Sequence, residues 1–245
     1  MSQRIKVSRV LQFVGDANQE ANVEGDMLSK RMNSVDWFDQ VALDTTLDYT
    51  LTLSGSTDLG ALEGGGVAGF KGTTGNVDDD ISFLATGLIF DITQKPAIEA
   101  KIKIVDVSQT IIFFGFSDAT SETTPAATID AAGGTPTAAA TDAVGFVIDA
   151  DYATSSIYAM SVKTGGTIQS VDSAIDWADN ESKVLRVELD ASGNAHLFID
   201  GVEKAYIALA VADVPLCAIL NYGTRAAGGL ELVHMRYLAR FQDLP

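Results

Sequence analysis

The stretch from Lys183 to Ile207, KVLRVELDASGNAHLFIDGVEKAYI, decides how this chain folds. Leu185, Val187 and Leu189 alternate with Arg186, Glu188 and Asp190. That period of two belongs to a strand with one buried and one wet face, as in an antiparallel sheet. Ala191-Ser192-Gly193-Asn194 interrupts the run as a hairpin turn, and Ala195, Leu197 and Ile199 resume the inward face on the return strand. Asp200-Gly201 is a strong two-residue turn signal and leads into Glu203–Ile207.

The same grammar extends in both directions. In Ala97–Val105, Ile98, Ala100, Ile102 and Ile104 face one way, while Glu99, Lys101 and Lys103 face the other. Thr110–Ser117 is apolar on both faces, which predicts a central strand. Tyr49–Leu53, Ile81–Ile92, Ala143–Ala150, Ser156–Lys163, Val214–Asn221 and Leu230–Phe241 read as further strands. No amphipathic helix interrupts them. The prediction is an all-β fold, an antiparallel two-sheet sandwich of the jelly-roll kind, over residues 36–245. Residues 1–35 differ: they are polar, with Val7, Val10, Leu11 and Val14 at helical spacing and breaks at Gly15 and Gly25. They read as an extended or partly helical N-terminal arm. Ser54–Asp80 is a Gly- and Asp-rich loop. Asp118–Asp142, rich in Ala and Thr, reads as an exposed excursion that orders against a neighbour.

Composition bounds the function. The 245 residues are 47% hydrophobic and only 20% charged, which excludes a disordered chain. Sixteen basic residues face 33 acidic ones, a net charge of −17, so no nucleic-acid partner is expected. The charge is uneven: residues 1–31 carry five basic and four acidic groups (+1), whereas residues 32–180 carry five and 21 (−16). The apolar runs Ile111–Phe116 and Tyr206–Ala212 fall well short of the ~20 residues of a membrane helix, so no membrane partner is expected either. No targeting segment is evident, which implies synthesis in the cytoplasm. One cysteine, Cys217, excludes a disulfide framework and a multi-cysteine zinc site.

Chemical motifs are few. Gly64-Gly65-Gly66-Val67-Ala68-Gly69 has dinucleotide-loop spacing but lacks the helix and the acid that such a loop needs. His196 and His234 lie on separate strands and read as half-buried polar residues. Cys217, in an apolar strand, reads as an inert thiol. Glu188 and Asp190 share a strand face about 7 Å apart, a spacing compatible with the two carboxylates of a glycosidase. No third acid follows at Ser192, and Trp37 and Trp177 lie elsewhere, so the pair reads as a solvated strand face. Asp78-Asp79-Asp80 and the pair Asp149 and Asp151 offer oxygens to Ca²⁺ without an EF-hand pattern and read as turn residues. The expectation is no catalytic residue, no metal and no cofactor. Arg4, Lys6, Arg9, Leu11 and Phe13 mix positive and apolar groups, which suits an arm that orders on a partner.

The hairpin Val184–Glu203 (VLRVELDASGNAHLFIDGVE) resembles that of concanavalin A-like and laminin-G-like jelly rolls. Ile98–Ala119 and Ala143–Val162 resemble a subset of these domains found in virion proteins of tailed phages. The resemblance implies a non-enzymatic structural protein of the phage virion: a decoration or cement protein on the capsid surface. It would bind the major capsid protein through the arm, as a dimer or trimer, and stabilise the head. The alternative is a carbohydrate- or receptor-binding module of a phage tail fibre. The E-x-D-x-x-E pattern of the related glucanases is absent, and the lectin-type metal and sugar ligands have no match here.

Overall fold

The structure, a computed structural model, describes residues 31–36, 49–53, 58–61, 69–73, 77, 80–120, 128–153, 155–225 and 232–243. In chain order its strands begin with β1 (Arg31–Asp36), β2 (Tyr49–Leu53), β3 (Asp58–Ala61), β4 (Phe70–Thr73), β5 (Ile81–Thr86) and β6 (Ala97–Ile104). Then come β7 (Thr110–Ser117), β8 (Ile129–Asp130), β9 (Thr137–Ala138), β10 (Ala143–Asp149), β11 (Ser156–Val162) and β12 (Gln169–Asp176). The last five are β13 (Ser182–Leu189), β14 (Ala195–Ile199), β15 (Val202–Ile207), β16 (Cys217–Thr224) and β17 (Leu232–Asp243). Helix among the described residues is confined to two 3₁₀ turns, Ile92–Gln94 and Ala132–Gly134.

Two antiparallel sheets pack face to face. The eight-stranded sheet has the order β15-β14-β13-β6-β17-β4-β3, with β1 also paired to β17; the seven-stranded sheet has the order β12-β11-β10-β7-β16-β5-β2. The predicted inward residues form the core between them. Ile98, Ile102, Leu185, Val187 and Leu197 from one sheet meet Ile112, Phe114, Phe116, Val144 and Phe146 from the other. Tyr222 of β16 reaches across the core to β4, where a Cβ on Gly72 would lie 2.0 Å from its ring. Only glycine leaves room for that ring. The deciding hairpin folds as its turns dictate: Asp200 and Gly201 both take positive φ, 50° and 77°, the signature of a type I′ turn.

Two expectations are corrected. Ser54–Asp80 is not a loop throughout, since β3 and β4 pair within it and join the eight-stranded sheet through β17. Within Asp118–Asp142, residues 128–131, 140 and 142 are not exposed but cover the outer face of the seven-stranded sheet, while residues 133–135, 137, 139 and 141 between them stay exposed. Ile129, Ala131 and Ala140 close a second core over Phe83, Ile111, Phe113, Val147, Met160 and Ile219. This is why Thr110–Ser117 is apolar on both sides: one face meets the opposite sheet, and the other meets the chain's own cover. Buried carboxylates pin the cover. Asp149 accepts from the Ala131 amide at 3.0 Å and pairs with the Arg225 guanidinium at 2.8 Å. Asp142 accepts from the Ala212 and Thr164 amides at 2.6 and 3.2 Å. Asn221 accepts from the Thr128 amide at 3.2 Å.

The edge strand β12 carries no period-two signal, since only Ser173 of its eight residues is buried and Ala174 interrupts it with a φ of +56°. An irregular polar edge discourages pairing with a further strand.

Candidate functional site on the eight-stranded sheet

With the seven-stranded sheet covered, the wet face of the eight-stranded sheet is the broad surface on which polar side chains converge. Strand register sets these polar side chains in two rows, each starting at a small buried apolar cluster of Ala97, Ala239 and Phe241. In the first, Ala239 of β17, Glu99 of β6, Arg186 of β13 and Phe198 of β14 stand side by side. In the second, Phe241, Ala97, Glu188, His196 and Tyr206 follow in the same way.

Arg186 joins the rows. Its guanidinium lies 2.5 Å from Glu188 and 3.7 Å from Glu99, and 5.5 Å over the Phe241 ring. The Tyr237 hydroxyl donates to Glu99 at 2.7 Å. Nearer the sheet edge, the His196 Nδ1 stands 2.9 Å from Glu203, and its ring packs on Tyr206 with centroids 5.0 Å apart. Two carboxylates from neighbouring strands thus share one cation, flanked by a phenol and an imidazole. The groups are partly exposed, so each pair contributes on the order of 0.2–1 kcal/mol and stays open to exchange with a polar ligand. The sequence places Glu99 and Glu188 each on the wet face of a strand but does not bring them together. The two are 89 positions apart, and only the β6–β13 register brings them together.

The pair that spacing suggested does not form a site. Asp190 turns back to hold its own hairpin, accepting from the Ser192 and Asn194 amides at 2.8 and 3.0 Å and from the Asn194 side chain at 2.7 Å. Burial works against its charged form, but these donors prevail and hold its pKa below the usual aspartate value. Asp149 is committed to Arg225 and Ala131. Its other contact, 3.1 Å from the Asp151 amide, closes a turn. Cys217 is buried, and its thiol donates to the Ser117 and Ala119 carbonyls; burial pushes its pKa up to about 12. Arg4, Lys6, Arg9, Leu11 and Phe13 lie outside the described residues, as do Asp78 and Asp79. No helix among the described residues is long and apolar enough to cross a membrane.

No family model matches the chain, and no curated protein matches it. Solved structures do. A glycoside hydrolase family 16 endo-glucanase from Bacteroides ovatus is similar over 84% of this chain and 98% of its own, with a TM-score of 0.58 at 10% identity. A β-glucanase from Bacillus licheniformis is similar over 87% and 98%, with a TM-score of 0.58 at 11% identity. A sialidase matches over 85% of this chain, which spans only 18% of that protein's length, with a TM-score of 0.56 at 11% identity. The fold is a concanavalin A-like jelly roll.

That comparison corrects the expectation of a non-enzymatic chain. The proteins that share this layout include an endo-glucanase and a β-glucanase. Absence of one catalytic spacing, E-x-D-x-x-E, is therefore no ground for excluding activity. That spacing concerns acids close in sequence, whereas the carboxylates that meet here, Glu99 and Glu188, come from different strands.

Proposed function

We propose that the chain is a jelly-roll protein of the tailed-phage virion, a decoration protein that binds the major capsid protein on the outside of the head. The observation that carries the reading is the self-covered face of the seven-stranded sheet. Much of the outer face of the seven-stranded sheet is given over to the chain's own residues from 128–142, which leaves sheet edges, the wet face and the N-terminal segment for contact with a partner. The likeness of Ile98–Ala119 and Ala143–Val162 to virion jelly rolls agrees with this. In such a role the protein acts mechanically: binding only the assembled shell stabilises that shell by mass action. The arm residues Arg4, Lys6, Arg9, Leu11 and Phe13 would supply the anchor, and a dimer or trimer would bridge neighbouring capsomers. Purified heads test the reading. The protein should co-sediment with intact heads, and heads lacking it should rupture at lower temperature. Its absence from heads at every salt concentration would overturn the proposal.

A second reading rests on the convergence of Glu99 and Glu188 on Arg186, together with the glucanase-like layout. In it the wet face binds or cleaves a polysaccharide. Release of reducing ends from β-glucans by the wild type, lost in Glu99→Gln and Glu188→Gln, would establish this reading; no release from any of a panel of glucans would remove it.

A further inference from the structure

The wet face of the eight-stranded sheet changes character towards its β4 side. His234 of β17 stands opposite Lys71 of β4 on one flank and opposite Lys103 of β6 on the other. Neighbouring strands are about 4.8 Å apart, so three basic side chains stand in one row. Val233 and Met235 belong to the core between the sheets, as do Ile102 and Ile104, so His234, Lys101 and Lys103 face outward. The β17 bulge between Met235 and Leu238 adds Arg236 and Tyr237 beside them.

These cations are not neutralised. Arg186, Lys183 and Arg225 each have carboxylate partners. Among the described residues, Lys71, Lys101, Lys103, His234 and Arg236 have no ion pair, and Arg236 keeps a buried Nη1 without a hydrogen-bond partner. Burial, and then the charges of Lys103, Arg236 and Lys71, hold the His234 pKa below its usual value. A chain of net charge −17 therefore gathers four positives, Lys71, Lys101, Lys103 and Arg236, around His234, where they repel one another. Such self-repulsion is relieved by a bound polyanion.

We infer that the patch formed by Lys71, Lys101, Lys103, His234 and Arg236 binds a carboxylate-bearing polysaccharide. The choice of partner follows from what surrounds the charges. A protein interface needs an apolar centre depleted in lysine. Here none of the large apolar side chains exposed among the described residues lies on β4, β6 or β17; Val171, Val202, Tyr206 and Leu209 belong to β12, β15 and the turn after β15. A duplex nucleic acid carries one charge per about 1.7 Å and would meet more repulsion from the rest of the acidic surface than a chain with one charge per sugar ring. A chain of acidic sugars places its carboxylates at intervals on the scale of one ring, comparable to the strand spacing of about 4.8 Å. The inference does not depend on the virion reading and stands whether or not the protein is found on heads.

Affinity electrophoresis of the full chain through alginate, a polyuronate, tests the site. The wild type should be retarded at low salt, progressively less as salt is added, and not at all by neutral dextran. Lys71→Glu combined with Lys103→Glu should weaken binding by about tenfold or more, because attraction at two positions becomes repulsion. Lys163→Glu combined with Lys204→Glu, away from the patch, should leave it unchanged. Melting temperature verifies that each variant is folded, and Lys71→Gln with Lys103→Gln serves if the reversal variant is not. Four outcomes would overturn the inference: no retardation in alginate at low salt, equal retardation in dextran, retention by the patch variants, or stronger binding to polyglutamate or a DNA oligonucleotide than to alginate.

Discussion

The outer face of the seven-stranded sheet is apolar and sealed, whereas that of the eight-stranded sheet is largely polar and wet. On the seven-stranded sheet, Ile111, Phe113, Val147, Met160 and Ile219 point away from the opposite sheet and are buried all the same, beneath Ile129, Ala131 and Ala140. On the eight-stranded sheet the equivalent positions carry Glu99, Arg186, Glu188, His196, Lys101 and Lys103, and water reaches them. The difference shows where stability and function part company. A face that its own chain covers adds apolar burial, worth about 25 cal/mol per Å². A face left polar adds little to stability and is free to meet partners.

Mutations that sharpen this contrast fall in a clear order. The largest effect should come from the sealed face. Arg225→Ala strands the Asp149 carboxylate in a buried site and should cost ~3–5 kcal/mol in denaturant unfolding. Phe113→Ala should fall in the same ~3–5 kcal/mol range. Ile129→Ala removes a side chain from the cover alone and should cost ~2–5 kcal/mol, as much as Leu197→Ala in the core between the sheets. If Ile129→Ala were nearly neutral while Leu197→Ala was not, the cover would be decoration rather than core.

Smaller effects are expected from the hairpin and the wet face. Asp190 has a folded-state pKa below its ordinary 3.8. Its stabilising contribution is therefore complete above that ordinary value and is lost as pH falls through the lower, folded value. The stability gap between the wild type and Asp190→Ala should hold constant from pH 7 down to about pH 5 and narrow below pH 4. A gap that widened on acidification would mean that the turn favours the protonated carboxyl. Smallest of all, Glu188→Gln should change stability by ~0.2–1 kcal/mol, the range of a partly exposed ion pair.

Much of the fold is legible because alternation reports burial directly. Thr110–Ser117 and Ser156–Val162 can be placed to within a residue from their apolar spacing, and the Asp200-Gly201 turn from its dipeptide. What covers a strand is less legible than the strand itself. The doubly apolar Thr110–Ser117 signals two buried faces but not that residues 128–142, small and Thr-rich, bury one of them. Ile129 and the polar staples Asp142 and Asp149 were the available signal: charged side chains beside apolar runs, whose partners Ala212 and Arg225 lie more than 60 positions away. The wet face shows the same limit. Lys101 and Lys103 are readable as outward residues of one strand, but register alone sets Lys103 beside His234, or Glu99 beside Arg186. Polar edges such as β12 escape altogether, because a strand exposed on both sides has no apolar rhythm to read.

The central claim is that residues 128–142 are a fixed part of the fold that closes the seven-stranded sheet, so that partners must use the other face, the edges or the N-terminal segment. Native-state hydrogen exchange at single-amide resolution tests it most directly. The Ala131 amide, bonded to Asp149, and the Thr128 amide, bonded to Asn221, should exchange as slowly as Phe113 in the central strand beneath them. Exchange of both at the rate of an unprotected loop, with Phe113 still protected, would show that the cover opens independently and would contradict the account.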